Sequence, residues 1–300
     1  MERTSAGRIA ERMRNLVPPA LIAVQALAGP AAPARAQAPE PGGVIVSTDW
    51  LAGRLNDPSV VVIAATDEAG YARGHIPGAR LLPHMATLGD GHRLLPAEAL
   101  AGALARAGAH DGARIVLYGD RPMEIGWAYM TFASVGHADR VSLLGGNLAA
   151  WIADGHAVSH DAVPPARGRL TPRPAPDVRV DASWVRERLE DRGVRVLDVR
   201  STAEWNGGHL PGATLVAWQD LYKSQEQLRF KPREELRALF ARAGVAPGQQ
   251  VVTYCAIGMR ASLMYFAARH VGLDARVYVG SYEDWRARPG YPIVREPDRR

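Results

Sequence analysis

The chain repeats itself, and that repeat limits its fold more than any other feature. Gly74-His75-Ile76-Pro77-Gly78-Ala79 returns 134 residues later as Gly208-His209-Leu210-Pro211-Gly212-Ala213. Trp50-Leu51 and Trp184-Val185 stand at the same separation, as do Gly146-Asn147-Leu148-Ala149-Ala150-Trp151 and Gly280-Ser281-Tyr282-Glu283-Asp284-Trp285. Between these anchors, Arg114–Tyr118 matches Gln250–Tyr254 at an offset of 136, a small insertion. Ordered matches at nearly one spacing mark the duplication of a single structural unit. The 300 residues therefore hold two like domains, placed at 44–158 and 178–297. Residues 159–177 join them, and Pro164, Pro165, Pro172, Pro174 and Pro176 predict a stiff, structureless linker there.

Within each unit, short β-branched apolar runs alternate with helical periodicity. In the second unit, Arg195–Val199, Gln250–Tyr254 and Ala275–Val279 read as strands, while 233–243 and Ser262–Val271 read as helices. Strand–helix alternation with short loops predicts the α/β class, with an open parallel sheet in each domain and helices on both faces. Ligands of such sheets bind outside the carboxyl ends of the strands. Cys255 follows the strand that ends at Tyr254, so the chain's single thiol falls where this architecture places chemistry.

One cysteine excludes an internal disulfide and any cysteine-cluster metal site. The charge balance, 36 Lys+Arg against 31 Asp+Glu, is mildly basic. The arginines are scattered and no basic block carries aromatics beside it, so nucleic acid is excluded as a partner. Gly145-Gly146 lacks the strand–GxGxxG–helix context of a dinucleotide site. The sequence implies no cofactor and no metal.

Around the thiol the chain reads Tyr254-Cys255-Ala256-Ile257-Gly258-Met259-Arg260-Ala261-Ser262. A free cysteine has a pKa of about 8.5 and needs help to act as a nucleophile at neutral pH. A loop containing Gly258 can turn backbone N–H groups toward one point, and the helix that follows directs its positive end there. Arg260 adds a permanent charge five residues after the thiol. No histidine or aspartate adjoins Cys255, which argues against a Cys-His protease, and no second cysteine completes a C-x-x-C pair. The Cys255-x₄-Arg260 spacing is one residue shorter than the Cys-x₅-Arg loop with which related folds cradle phosphate, and it favours a single sulfur as ligand. Asp198 and Arg200 are expected to pair or to brace this loop from the neighbouring strand end. His75 and His209 read as turn-fixing, Trp127 and Trp218 as packing, and Trp205 and Tyr222 as candidates for the pocket wall.

On these residues, the chain resembles the rhodanese family, and in particular the tandem-domain thiosulfate sulfurtransferases, over about residues 44–295. The resemblance rests on the G-H-[IL]-P-G-A signature in both halves, on Leu197-Asp198-Val199-Arg200-Ser201, on the C-x-x-G-x-R loop and on the Gly-x-x-x-x-Trp closings. It implies that the second domain is catalytic, with Cys255 carrying sulfur as a persulfide. The loop residues Ala256, Ile257, Gly258, Met259 and Arg260 would meet the substrate, with Asp198 and Arg200 in support. Gly119 occupies the position matching Cys255, so the first domain is expected to be inactive. The implied partners are a small anionic sulfur donor such as thiosulfate and a thiol, cyanide or protein acceptor. The alternatives are a non-catalytic sulfur carrier or binding module, and 3-mercaptopyruvate as donor. Two departures bear on the donor. Bacterial thiosulfate-type loops often place Arg or Lys directly after the cysteine, where Ala256 stands. The usual D-G-S near the last strand reads Val279-Gly280-Ser281.

The N-terminus reads as an export signal over residues 1–36. Met13-Arg14-Asn15 precedes an apolar run from Leu16 to Gly29, and Ala34-Arg35-Ala36 offers a cleavage pattern. A start at Met13 would give a signal of ordinary length, and a disordered Ala/Pro-rich tail is the alternative. The expected location is periplasmic or secreted, otherwise cytoplasmic, with no membrane association after signal removal.

Overall fold

The computed structural model describes residues 44–89, 94–161, 163–164, 168–173, 175 and 178–295. The proposed signal segment, Pro165, Pro174 and Pro176 lie outside the described residues. The first half runs β1 (Val44–Val46), α1 (Thr48–Ala52), β2 (Val60–Ala64), α2 (Glu68–Ala72), β3 (Arg80–Leu81), α3 (Ala97–Arg106), β4 (Arg114–Tyr118), α4 (Pro122–Ser134), β5 (Val141–Leu144) and α5 (Leu148–Ala153). The second repeats it as β6 (Arg179–Val180), α6 (Ala182–Arg186), β7 (Val194–Asp198), α7 (Thr202–Asn206) and β8 (Thr214–Leu215). A short hairpin, β9 (Tyr222–Ser224) with β10 (Arg229–Phe230), is inserted there. The half then closes with α8 (Arg233–Arg242), β11 (Gln250–Tyr254), α9 (Met259–His270), β12 (Ala275–Tyr278) and α10 (Ser281–Arg286).

Each half is a five-stranded sheet, ordered β1-β5-β4-β2-β3 and β6-β12-β11-β7-β8, with every pairing parallel. Successive strand residues face opposite sides, so each sheet feeds two cores. On β4, Val116 and Tyr118 join Val62, Ala64 and Trp151, while Ile115 and Leu117 face the other way. On β11, Val252 and Tyr254 join Val196, Tyr278 and Trp285, while Val251 and, just past the strand, Cys255 belong to the opposite cluster. That opposite cluster is shared by the two halves. Its centre is the packing of α4 on α9. Both helices are enclosed along their middles, α4 from Glu124 to Ala133 and α9 from Ala261 to Ala268. The approach is closest at Gly126, where a Cβ would lie 2.5 Å from Leu263 Cα. Tyr129 packs against Tyr265 and edge-on to Phe266 across the same contact.

Three sequence expectations change. The helix after Cys255 begins at Met259 rather than Ser262, because Gly258 turns with φ 92° and starts it early. Ser262 lies inside the first turn, its hydroxyl donating to the Met259 carbonyl at 2.7 Å. Strand β7 spans Val194–Asp198 and β12 ends at Tyr278, each one residue short of the sequence reading at its C-terminal end. The connecting segment is no free spacer where it is described. Leu170 is buried, the Arg173 N–H donates to the Val135 carbonyl at 3.0 Å, and Thr171 bonds both carboxylate oxygens of Asp111. The proline-rich composition hid these contacts.

Candidate active site

The site is assembled at the carboxyl end of β11. Thr253 is anchored by its hydroxyl, which donates to the Ala261 carbonyl of α9 at 2.9 Å. Tyr254 is fully buried on the other face, and Cys255, 1% exposed, turns back toward the shared core. The Gly258 N–H points at the Cys255 sulfur over 3.1 Å. That geometry requires glycine twice over. The φ of 92° is left-handed, and a Cβ would sit 2.7 Å from the Val279 carbonyl oxygen. The N-terminus of α9, which has no side-chain cap, opens directly beyond.

A second element holds the loop from behind. The Cys255 N–H donates to Ser281 Oγ at 3.1 Å, and that hydroxyl donates to the Tyr278 carbonyl at 2.8 Å. The Tyr282 N–H donates to the Cys255 carbonyl at 2.9 Å and the Glu283 N–H to the Ala256 carbonyl at 3.1 Å. The start of α10 thus fixes the backbone on both sides of the thiol. Ser281 itself has φ 55°, an unusual value for a residue with a side chain.

Arg260 lies in the first turn of α9 and is clamped by Glu204, its Nη1 and Nη2 donating to the two carboxylate oxygens at 2.8 and 2.6 Å. Glu204 is in turn set by a capping box at the start of α7. The Ser201 N–H and hydroxyl donate to Glu204 Oε2 at 3.0 and 2.8 Å. The Arg260 hydrogen bonds, helped by those from Ser201, pull the Glu204 pKa down to about 2. Arg260 holds its own proton more tightly than usual, through Glu204 first and through the charge of the Cys255 sulfur as well.

Asp198 and Arg200 do pair, and they anchor the strand that carries the cysteine. Arg200 Nη2 donates to Asp198 Oδ2 at 2.7 Å and to the Gly208 carbonyl at 2.7 Å, with both residues almost wholly buried. The Tyr254 hydroxyl donates to Asp198 Oδ2 at 2.6 Å and accepts the Leu210 N–H at 3.2 Å. Arg200 also lies over the Tyr282 ring at 4.1 Å. The Tyr282 hydroxyl fills the space a Cβ at Gly208 would need, which accounts for glycine in the repeated turn. Strand end, turn and α10 are locked together around Cys255.

Of the remaining loop residues, Ile257 is 61% exposed, Ala256 is half-buried, and Met259 is half-buried against the shared core. Trp205 stacks on His209 at 3.5 Å, and His209 Nδ1 lies 3.2 Å from the Trp205 carbonyl oxygen. His75 repeats that arrangement on Tyr71 in the first half. Tyr222 is buried beside Trp218 and Phe230 in the core. Sequence reasoning missed Glu204, Ser281 and Tyr282. The S-x-x-E pattern at Ser201–Glu204 was a readable cap signal, but its reach to Arg260 across 56 residues was not.

The first half lacks the thiol, the Asp–Arg pair and the loop arginine. A Cβ at Gly119 would collide with the Ala65 carbonyl oxygen. Ala64 and Thr66 stand where Asp198 and Arg200 stand, and Glu124 where Arg260 stands. Glu124 is buried there, accepting from Arg121 Nη1 at 3.1 Å, with His84 Nδ1 3.4 Å away.

A profile of the Rhodanese-like domain matches residues 47–154 and again 181–288. The chain belongs to the rhodanese-like family. Its two rhodanese domains are similar to those of a sulfur carrier protein of Thermus thermophilus, 30% identical over 280 residues, covering 84% of this chain and 96% of the relative. A thiosulfate sulfurtransferase of Pseudomonas aeruginosa is 29% identical over 266 residues, covering 83% and 96%. The solved rhodanese fold of the 3-mercaptopyruvate enzyme of Escherichia coli superposes with TM-score 0.70 at 25% identity, over 79% of this chain and 98% of that one. Among the described residues, no cluster of three or more metal-binding side chains occurs, and no helix is long and apolar enough to cross a membrane.

Proposed function

We propose that the protein is a sulfurtransferase that moves a sulfane sulfur from a small donor, thiosulfate or a similar compound, to a thiophilic acceptor through a persulfide on Cys255. In the first step the Cys255 thiolate attacks the outer sulfur of the donor. The donor's S–S bond breaks, its electron pair leaves with the departing group (sulfite, from thiosulfate), and Cys255–S–S⁻ remains. A thiol or cyanide then attacks the terminal sulfur and restores the thiolate. The observation that carries this reading is the Gly258 N–H directed at the sulfur in a loop closed by α9 and α10. An anion on sulfur, or on a second sulfur attached to it, is met there by fixed backbone dipoles and by Arg260.

The bulky Ile257 and Met259, in place of a small-residue loop, weigh against 3-mercaptopyruvate as donor. A carrier role without turnover remains the second reading, favoured by the exposure of Ile257 at the loop tip, where a protein acceptor would dock. Mass spectrometry separates the two. After exposure to millimolar thiosulfate or to 2-mercaptoethanol persulfide, the Cys255 peptide should gain one sulfur, and cyanide should then release it as thiocyanate over many cycles. Cys255→Ala should abolish both. Thiocyanate formed by that variant, or no sulfur gained from either donor, would overturn the proposal.

A further inference from the structure

Among the described residues, a cleft of about 380 Å³ opens in the first half beside the amino ends of β2 and β4, whereas Cys255 follows the carboxyl end of β11. A volume of that size lies within the range that encloses small organic ligands. Leu55, Val61 and Pro77 give it apolar walls, and Arg80, His110 and Asp57 stand among them. The second half carries the same segments with the space closed. Register fixes the equivalences: Val61 pairs with Ile115 as Arg195 pairs with Val251, and Arg80 pairs with Ile63 as Thr214 pairs with Leu197. The Arg195 guanidinium carbon lies 3.6 Å from where a Cβ on Gly244 would stand, and its Nε is shut off from solvent. Gly244 matches Gly108 of the cleft wall. Gln249 Nε2 also donates to the Arg192 carbonyl at 2.6 Å, joining the two lips. The first half has Val61 in place of Arg195 and Ala113 in place of Gln249, so it has neither closure.

The charges in the cleft select the ligand. Asp57 is the one carboxylate among the described lining residues, and its Oδ1 already accepts the N–H and the hydroxyl of Ser59 at 2.9 and 2.6 Å. Arg80 spends Nη1 on the Pro164 carbonyl, and among the described residues its Nη2 and Nε have no partner. Those two nitrogens form the side-on fork that receives a carboxylate. The His110 ring, half-buried and also without a hydrogen bond among the described residues, adds a second N–H donor. The closed half has Thr214 and Ala246 at these two positions, so the donors occur only where the space is open. We propose that this cleft is a binding site for a small organic anion, a carboxylate on an apolar body, with the carboxylate on Arg80 and His110 and the body against Leu55, Val61 and Pro77. It is separate from the sulfur transfer at Cys255 and does not depend on it.

The test is calorimetric titration of the full chain with 2-naphthoate, the neutral 2-naphthylmethanol and the cationic 2-naphthylmethylammonium. The wild type should bind one naphthoate, about ten-fold more tightly than either analogue. Arg80→Gln should weaken naphthoate about ten-fold, the worth of a hydrogen bond to a charged group, and leave the alcohol unchanged. Val61→Arg, which imports the side chain that fills the second half, should abolish binding of all three, with circular dichroism showing that the variant is folded. Arg80 lies on an edge strand with its Pro164 contact exposed, so Arg80→Gln gives a reading even where Val61→Arg does not fold. No binding of naphthoate to the wild type at millimolar concentration would overturn the proposal. So would naphthoate affinity in Arg80→Gln within about two-fold of wild type, or a preference for the cation.

Discussion

The duplication supplies an internal control for the hydrogen-bond network beneath the thiol. Tyr254 and Tyr118 end matching strands, both are buried, and both hydroxyls accept a backbone N–H from the repeated G-H-x-P-G-A turn, Leu210 at 3.2 Å and Ile76 at 3.0 Å. Only Tyr254 also donates, to Asp198, because Ala64 stands at the matching position in the first half. Burial, reinforced by Asp198, pushes the Tyr254 phenol pKa far upward, so it stays a donor at every working pH. Tyr118→Phe orphans one buried N–H, at a cost of about 1–3 kcal/mol. Tyr254→Phe orphans the matching N–H and also removes a bond to a buried, ion-paired carboxylate, a further ~1.5–3 kcal/mol.

The two substitutions should therefore differ by roughly 2 kcal/mol, or about 3–4 °C in melting temperature for a chain of this size. Calorimetry on the two variants measures that difference directly. A second readout ties it to function. Tyr254 is bonded to Cys255, so Tyr254→Phe should change the rate of Cys255 alkylation by iodoacetamide, and Tyr118→Phe should not. Equal depressions of melting temperature, with alkylation unmoved in both, would refute the idea that Asp198 anchors the cysteine strand.

Arg260→Ala should slow alkylation of Cys255 by the anionic reagent iodoacetate near pH 7, and Arg260→Lys should recover part of the rate, because it restores the charge but not the two-pronged contact with Glu204; an unchanged rate in Arg260→Ala would remove Arg260 from the site. Gly119→Cys in a Cys255→Ala background should turn over no donor and should melt lower, since its Cβ meets the Ala65 carbonyl and overpacking of this kind costs roughly 1–3 kcal/mol; thiocyanate production would refute the assignment of the first half as inactive. The Glu204 pKa is pulled from the ordinary glutamate value of 4.5 down to about 2 in the folded state, so its contribution to stability is complete above the ordinary value and is lost as pH falls toward 2. Wild type should accordingly be more stable than Glu204→Gln at pH 7, with the gap closing through that acid window in pH-dependent melting, and a gap independent of pH would refute the pairing.

The parts of the fold that depend on spacing were readable from sequence. The repeat gave two parallel sheets because offset and strand–helix alternation survive in the primary structure, and β11 coincides with the run Gln250–Tyr254. The position of Cys255 followed from that alone. What failed to show were contacts between residues far apart in the chain. Nothing near Ser281 signals that its hydroxyl accepts the Cys255 N–H, and nothing near Glu204 signals Arg260. The early start of α9 depends on the left-handed turn at Gly258, a conformation that sequence permits but does not require. Tyr222 read as a pocket residue because aromatic side chains serve both core and pocket, and only the three-dimensional packing on Phe230 decides between them.

The retention of a half without a thiol has a physical reason in the packing of the two central helices. Helix α9 must present its N-terminus to Cys255, yet its residues Ala261–Ala268 are buried on every side, more surface than one sheet can cover. Helix α4 covers the rest, and it is enclosed in the same way by α9. At Gly126 the two backbones approach so closely that no side chain fits between them. A helix enclosed on all sides has little freedom to shift, and the loop geometry at its N-terminus inherits that rigidity. The first half can thus lose its cysteine, its arginine and its Asp–Arg pair without losing its use, because its contribution to the site is made through α4 rather than through its own loop.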